Sequence, residues 1–153
     1  MQFDPPPPPP QYNEEDFRYL RSIGTSSVLG PELLVNGHFE DGATGWTVSG
    51  EDGTHIITFA NSTMRYQSDT TSPVLALSQL GLMTIGARYQ LVVVTSSYTG
   101  GSLKSDAASP PVFGNVLGTA TYTFTAVGST FNVYRNSSNV DTTLDMLSLR
   151  RIL

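Results

Sequence analysis

Apolar and polar residues alternate along much of the chain after residue 31. In ATYTFTAV, Tyr122, Phe124 and Ala126 fall on one side and the intervening threonines on the other, and FNVY alternates in the same way. A period of two is typical of β-strands that bury one face. The alternation therefore predicts strands that each turn an apolar face to a core.

Short segments of this kind recur between clusters of Gly, Asn, Asp, Pro and Ser. They are ELLV, the stretch that follows NGHFEDGATGW, HIITF, PVLALSQL, RYQLVVVTSS, ATYTFTAV, TFNVYRN and TLDMLSLRRI. Several short, evenly spaced strands without a convincing helix pattern are typical of antiparallel β-sandwiches. We therefore predict an all-β domain over residues 32–153, an antiparallel β-sandwich or jelly roll of about eight strands.

The first 31 residues have a different pattern and are predicted to form an N-terminal arm. Six consecutive prolines, Pro5–Pro10, lack backbone donors and fix φ, so they cannot join a sheet or a helix interior. A run of this kind favours a polyproline II rod, which at about 3.1 Å per residue spans roughly 19 Å. The run therefore predicts a stiff spacer.

A short amphipathic helix is predicted behind the prolines, over Glu14–Ile23. Asn13 suits the N-cap, acidic residues fill the first turn, arginines follow, and Gly24 can end the helix. A helix of this length is unstable alone in water. It must therefore pack on a surface of its own domain or of another subunit. Residues 25–31 would then be a joint. The predicted partner-binding residues of the arm are Pro5, Pro6, Pro7, Pro8, Pro9, Pro10, Tyr12, Phe17 and Leu20.

Composition and charge exclude several functions. The chain has 8 Lys and Arg against 13 Asp and Glu, a net charge of −5, so no nucleic-acid partner is expected. It has no cysteine, hence no disulfide or thiolate metal site. The longest apolar run, Leu91–Val94, is too short to insert in a membrane. The N-terminus lacks the pattern of a secretion signal, so synthesis in a cytoplasm is expected.

Four blocks of the sequence, in order, resemble the carbohydrate-binding-module 4/9-like (galactose-binding-like) jelly rolls. The blocks are ELLVNGHFEDGATGW, ALSQL with IGARYQLVVVTSS, TATYTFTAVGSTFNVYRN, and TLDMLSLRRI. Domains of this family also occur in bacteriophage virion proteins. The arm, with its prolines followed by QY and an acidic-then-basic segment, is similar to the N-terminal segments of some tailed-phage structural proteins.

The resemblance implies a structural Ca²⁺ held by Glu40 and Asp145, which match the family's first and last strands. Ca²⁺ prefers six or more oxygen ligands. A second carboxylate that is adjacent in many relatives is missing from TLDML. The alternative is that Glu40 caps a turn and Asp145 accepts backbone hydrogen bonds.

Aromatic residues are the candidates for stacking on a sugar. Tyr66, Tyr98 and Tyr134 could contribute to a carbohydrate-binding face, and Tyr98, close to two glycines, is expected to be exposed. Trp46, the only tryptophan, is expected in the core rather than in a sugar site.

No constellation of catalytic residues is found in the sequence, so an enzyme is not expected. It contains no nucleophile elbow and no phosphate-binding glycine loop. The resemblances favour a bacteriophage virion protein, a capsid decoration or cement protein anchored by its arm to the major capsid protein or to other virion structural proteins. A homo-oligomeric trimer or dimer is expected. The alternatives are a tail-fibre or tail-adaptor module that binds a host glycan, and a free-standing cellular carbohydrate-binding protein.

Overall fold

The computed structural model describes residues 27–72, 74–105 and 112–153. The predicted polyproline rod and helix lie outside these ranges. The described chain forms nine strands and no helix, and so has no helix that could cross a membrane. The strands are β1 (Leu29–Glu32), β2 (Thr47–Ser49), β3 (Ile56–Ala60), β4 (Thr63–Ser68), β5 (Ala76–Gln79), β6 (Arg88–Lys104), β7 (Val112–Phe113), β8 (Gly118–Thr125) and β9 (Phe131–Ile152).

Strand β9 is the centre of the sheet, and every strand pair is antiparallel. Strands β5, β4 and β1 pair with successive parts of β9, and β6 pairs with β9 along most of its length. Strands β2 and β3 extend the sheet beyond β5 and β4, and β7 and β8 pair with β6. The predicted all-β antiparallel fold is confirmed.

The two long strands carry the bends that fold the sheet around its core. The β6–β9 ladder changes register several times between Val94 and Leu103, and such bulges bend strands. Gly101 lies within this region with a φ of 75°, and a Cβ there would be 2.3 Å from the carbonyl oxygen of Asn139. Only glycine fits so close to the opposite strand in this conformation. The folded sheet encloses one hydrophobic cluster.

The structure differs from the predicted strands at several places, of which three concern the core and the two long strands' partners. TFNVYRN and TLDMLSLRRI are one strand, because the residues between them stay paired with β6 across its register shifts. Strand β4 was not predicted, although Met64 and Tyr66 alternate inward along it. The first strand begins at Leu29, within the predicted joint, and ELLV mostly follows it.

The core confirms the placement predicted for the tryptophan. Trp46 is buried, with its ring centroid 5.9 Å from that of Phe39, and Phe39 in turn lies 6.0 Å from Phe59. The alternation predicted for ATYTFTAV is confirmed as well, because Phe124 and Ala126 are buried while the three threonines of this segment are exposed.

Candidate binding cleft

The chain between β1 and β2 runs beside the carboxyl-terminal half of β9 and leaves a cleft of about 380 Å³ between them. Leu33 and Leu147 anchor this segment, because Leu33 N donates to Leu149 O at 3.0 Å and Leu147 N to Gly37 O at 2.9 Å. We call this the N-terminal cleft. Its polar lining residues are Glu32, Asn36, His38, Glu40, Asp41, Thr44, Ser148 and Arg150.

Glu32 lines the cleft and ties β1 to β9. Its Oε1 accepts hydrogen bonds from the two backbone amides that follow it, at 3.1 and 3.0 Å, and from Leu149 N at 2.8 Å. Its Oε2 accepts one from Ser148 Oγ and lies 3.5 Å from Arg150 Nε. Burial raises the pKa of Glu32, but the hydrogen bonds from Ser148 and the amides outweigh it and lower the pKa overall. Glu32 is therefore a structural carboxylate.

Asn36 holds the outer wall of the cleft. Its Nδ2 donates to Gly42 O at 2.9 Å and to Thr44 O at 3.2 Å, and its Oδ1 accepts from Asp41 N at 3.2 Å. Its backbone oxygen accepts from Trp46 Nε1 at 3.1 Å, which links the wall to the core. Asn36 has a φ of 53°, a left-handed conformation that asparagine tolerates better than most residues. One side chain thus fixes the whole turn.

Gly37 brings the wall into direct contact with β9. A Cβ at this position would lie 2.1 Å from Leu147 O, so no larger residue fits without moving the backbone. This close approach follows from the hydrogen bond of Leu147 N to Gly37 O. The width of the cleft is therefore set by backbone contacts rather than by mobile side chains.

Four polar side chains at the mouth of the cleft form no hydrogen bond or ion pair with other described residues. His38, Glu40, Asp41 and Thr44 are exposed, and none makes a side-chain hydrogen bond or ion pair within the described ranges. The neighbouring Asn36 network fixes the backbone that carries them. The arrangement offers two carboxylates, a ring nitrogen donor or acceptor, and a hydroxyl on a preformed rim.

Acidic groups dominate the charge of the cleft. Glu32, Glu40 and Asp41 face one arginine, Arg150, which is itself close to Glu32. Charges that line a concave surface select ligands by sign. This cleft disfavours anions.

The residues predicted to bind Ca²⁺ lie in different settings. Glu40 lines the N-terminal cleft, and Asp145 lies on β9 at the register shift opposite Val94 and Thr95. Asp145 Oδ1 is buried and has no hydrogen-bond partner in the described structure. The alternative, that Asp145 accepts hydrogen bonds from backbone amides, is therefore wrong for this oxygen. Within the described chain, no three His, Cys, Asp or Glu side chains group as metal ligands. Calcium binding by Glu40 and Asp145 therefore stays a prediction.

The three tyrosines predicted for a sugar-binding face are not gathered on one surface. Tyr66 is 0% exposed, its OH donates to Leu75 O at 2.6 Å and accepts from Arg135 N at 3.0 Å, and burial raises its pKa to about 12. The prediction for Tyr66 is therefore wrong, because its ring is part of the core. Tyr98 is 38% exposed, as expected, and the Tyr134 ring lies 5.3 Å from Lys104 Nζ.

A smaller depression of about 140 Å³ lies beside Tyr98, lined by Thr99, Gly100, Asn139, Val140 and Asp141. Asp141 is already held by Arg65, whose Nε and a terminal nitrogen donate to its two oxygens at 2.8 and 2.7 Å. Both members of this pair are partly exposed. The depression is shallower than the N-terminal cleft, and its main charged groups satisfy each other.

The residues that build the cleft, Glu32, Asn36 and Gln79, were not predicted from the sequence. The sequence does carry a signal for one of them, since Asn-Gly favours a turn with left-handed residues. Glu32 and Gln79 act through partners 117 and 44 residues away, which no local pattern reveals.

No protein-family model matches this chain, and no curated protein matches it. Among solved structures it is similar to the N-terminal cellulose-binding domain of Cellulomonas fimi β-1,4-glucanase C, at 16% identity and a TM-score of 0.40, over 78% of this chain and 93% of that one. It is also similar to the CBM22-1 xylan-binding domain of Paenibacillus barcinonensis Xyn10C, at 11% identity and a TM-score of 0.45, over 82% and 96% of the two chains.

A third similar structure is a family 29 carbohydrate-binding module of Piromyces equi, at 13% identity and a TM-score of 0.40, over 80% of this chain and 86% of that one. All three are named as polysaccharide- or carbohydrate-binding modules. These likenesses are too distant to transfer a ligand or a binding residue to this chain.

Proposed function

We propose that this protein is a non-catalytic binding domain that holds a glycan in the N-terminal cleft. The observation that carries the proposal is the set of unengaged polar side chains, His38, Glu40, Asp41 and Thr44, on the rim of a preformed cleft. Ligand sites in proteins are concave and carry a few well-placed polar groups.

Sugars match the chemistry of this rim. Adjacent hydroxyl groups of a sugar can donate to the two oxygens of one carboxylate, and Glu40 and Asp41 are free to accept them. The Thr44 hydroxyl can both donate and accept. Because Asn36 fixes the backbone of the rim, only the side chains have to be ordered when a ligand binds.

The charge of the cleft favours neutral sugars. A glycan that carries uronic or sialic acid would bring its carboxylate close to Glu40 and Asp41, with only Arg150 to offset it. Arg150 is partly occupied by Glu32. We therefore propose neutral glycans as the ligand class.

The chemistry of Glu32 supports a role without catalysis. A glycosidase needs one carboxylic acid with a raised pKa opposite a second carboxylate. Glu32, which lines the cleft, has a lowered pKa and accepts hydrogen bonds on both oxygens. Its carboxylate is not free to donate a proton to a leaving group.

A glycan array tests the proposal. The full chain, labelled on an introduced cysteine, is expected to bind neutral oligosaccharides and to reject their uronic-acid counterparts. Asp41→Asn should abolish retention, whereas Asp141→Asn, the same change outside the cleft, should keep it. Equal binding by both variants, or no binding to any neutral glycan, contradicts the proposal.

Attachment to a virion is a second candidate, favoured by an exposed apolar group at the end of the domain near Tyr98. Val116 and Leu117 are 58% and 63% exposed, and the loop that carries them is joined to β9 by Thr142, whose Oγ1 contacts Gly114 O and Ser97 O. Exposed apolar patches mark protein interfaces. A capsid decoration or cement protein, monomeric or oligomeric, would use such a surface on the major capsid protein.

Cosedimentation with assembled phage capsids tests this candidate. Copies should pellet with the capsids, and Val116→Ser/Leu117→Ser should leave the protein in the supernatant. Unchanged pelleting of the double variant, or no pelleting of the unaltered protein, contradicts it.

A further inference from the structure

One end of the domain exposes five large apolar side chains. They come from four separate parts of the chain, and each is between 58% and 75% exposed. Isolated exposed apolar residues are ordinary, but several at one place mark a contact surface. We call this surface the apolar end, and it consists of Val28, Leu80, Ile85, Val127 and Leu153.

Backbone pairing places these residues at the same end of the sheet. Leu153 N donates to Val28 O at 2.9 Å, which joins the two chain segments at the edge of β9. The pairing of Tyr89 with Arg151 brings the start of β6 beside them. Ile85 and Val127 flank the hydrogen bond of Gly86 N to Ala126 O, and Met83 N donates to Ser129 O in the same pair of loops.

The amino-terminal segment enters the domain at this end. Val28 belongs to the apolar end and directly precedes β1, so the chain that follows residue 26 joins the domain at this end. The nearest apolar residues of that segment are Ile23, Leu20 and Phe17, at a spacing of three. Residues 24–27 can span roughly 13 Å when extended, which is enough to return these side chains to the apolar end.

Charge complementarity supports the same contact. Arg88 and Arg151 are exposed beside the apolar end, and neither forms an ion pair in the described part of the chain. The amino-terminal segment carries Glu14, Glu15 and Asp16 immediately before its apolar residues. Opposite charges at the rim of an apolar contact fix its orientation.

We propose that residues 14–23 pack against the apolar end of their own domain. Phe17 and Leu20 cover apolar side chains of that end, and the acidic residues face Arg88 and Arg151. This contact is independent of glycan binding in the N-terminal cleft. It is opposed to anchoring of the arm on a capsid, because side chains buried on their own domain are not available to another protein.

Paramagnetic relaxation in the full chain tests the contact. The protein has no cysteine, so Ser22→Cys gives one site for a spin label. We expect the amide signals of Ile85, Val127 and Leu153 to broaden, and those of Val116 and Leu117, at the opposite end of the β6–β8 ladder, to stay sharp.

Two controls make the result specific. Phe17→Ser/Leu20→Ser in the labelled chain should restore the signals, whereas Arg18→Gln, on the other side of the predicted helix, should leave them broadened. A further sample mixes spin-labelled protein of natural isotope abundance with ¹⁵N-labelled protein that carries no spin label. In this mixture no amide signal should broaden. Broadening in the mixed sample would make a second copy the occupant and overturn the proposal. Sharp signals throughout would leave the apolar end to another protein and overturn it as well.

Discussion

The side chain of Gln79 pairs with the backbone of Val35 as a neighbouring strand would. Val35 N donates to Gln79 Oε1 at 3.0 Å, and Gln79 Nε2 donates to Val35 O at 2.7 Å. Gln79 lies at the end of β5 and is 5% exposed, whereas Val35 is 55% exposed, so the two hydrogen bonds are partly buried. The two hydrogen bonds attach the wall of the N-terminal cleft to the end of β5, beyond the last residue of β1.

Loss of this pair should destabilise the protein. Gln79→Ala removes both hydrogen bonds to the backbone of Val35, and each contributes about 0.5–1.5 kcal/mol to the free energy of unfolding. Urea denaturation measures the loss. Gln90→Ala is the matched control, because Gln90 is half-buried on β6 and makes no side-chain hydrogen bond within the described residues. Equal losses in both variants would contradict the role given to Gln79.

Gly37→Ala should break the contact between the cleft wall and β9. The added methyl group would meet Leu147 O at 2.1 Å, so the hydrogen bond from Leu147 N must lengthen or break. We expect the free energy of unfolding to fall by more than about 1 kcal/mol. Gly53→Ala, where an added Cβ meets nothing within 4 Å, should change it by less than about 0.5 kcal/mol. A tolerated Gly37→Ala would show that the cleft is not set by this contact.

His55 gives the domain a pH-dependent clamp between two loops. It is fully buried, with Nδ1 2.9 Å from Asp52 Oδ1 and Nε2 3.1 Å from Thr71 O and 3.5 Å from Asp69 Oδ1. Both ring nitrogens face acceptors, which the protonated ring satisfies best. The hydrogen bond to Asp52 is the main cause that raises the pKa of His55. Hydrogen bonds, led by those from Thr54 N to Asp52 and from Thr71 Oγ1 to Asp69, lower the pKa of each aspartate.

The sign of the pH dependence follows from these shifts. The contribution of His55 is complete below its unfolded pKa of about 6.5 and is lost as the pH rises through its higher folded value. The aspartates contribute above their unfolded pKa of about 3.9 and lose their contribution as the pH falls through their lower folded values. Stability should therefore be greatest between about pH 4 and 6.5 and should decline on the alkaline side.

His55→Gln should remove the alkaline decline. Urea denaturation at several pH values from 5 to 9 compares the slopes of the two proteins. His38→Gln is the control, because His38 is exposed and unengaged in the described structure, and it should keep the slope of the unaltered protein. A slope that persists in His55→Gln would place the titrating group elsewhere.

Calcium bound by Glu40 and Asp145 would raise the melting temperature. A ligand at 100 times its Kd stabilises the folded state by about 2.7 kcal/mol, so CaCl₂ should raise Tm and EDTA should lower it. Asp145→Asn should remove the response. The same Tm in both solutions would leave Asp145 Oδ1 as a buried oxygen without a partner and exclude Ca²⁺ from this site.

Alternation in the sequence was sufficient for the fold class but not for the extent of each strand. The Tyr122, Phe124 and Ala126 pattern marked β8 correctly, whereas the burial of Trp46 was expected from the family resemblance of its Gly-Trp pair. The union of two predicted strands into β9 depends on pairing with β6, which is a long-range property. Tyr66 was misassigned for the same reason, since its partner Leu75 lies on another segment.

The cleft was harder to predict than the fold. Its rim residues lie in a turn that the sequence marks clearly, but its shape depends on Glu32 and Gln79 reaching across the sheet. Such side-chain-to-backbone bonds have no local sequence signature. Of the residues that line the cleft, only Glu40 was identified from the sequence, and it was predicted to bind Ca²⁺ rather than a glycan.

The most direct test of the account is an NMR titration of the ¹⁵N-labelled full chain with a neutral oligosaccharide retained on the array. We expect shifts of the amide signals of residues 37–44 and of Ser148 and Arg150, and a Kd at least about tenfold weaker for Asp41→Asn, the loss of roughly one hydrogen bond to a charged group. Asp141→Asn should bind like the unaltered protein. Shifts confined to the Tyr98 and Asp141 depression, with the cleft signals unmoved, would contradict the assignment of glycan binding to the N-terminal cleft.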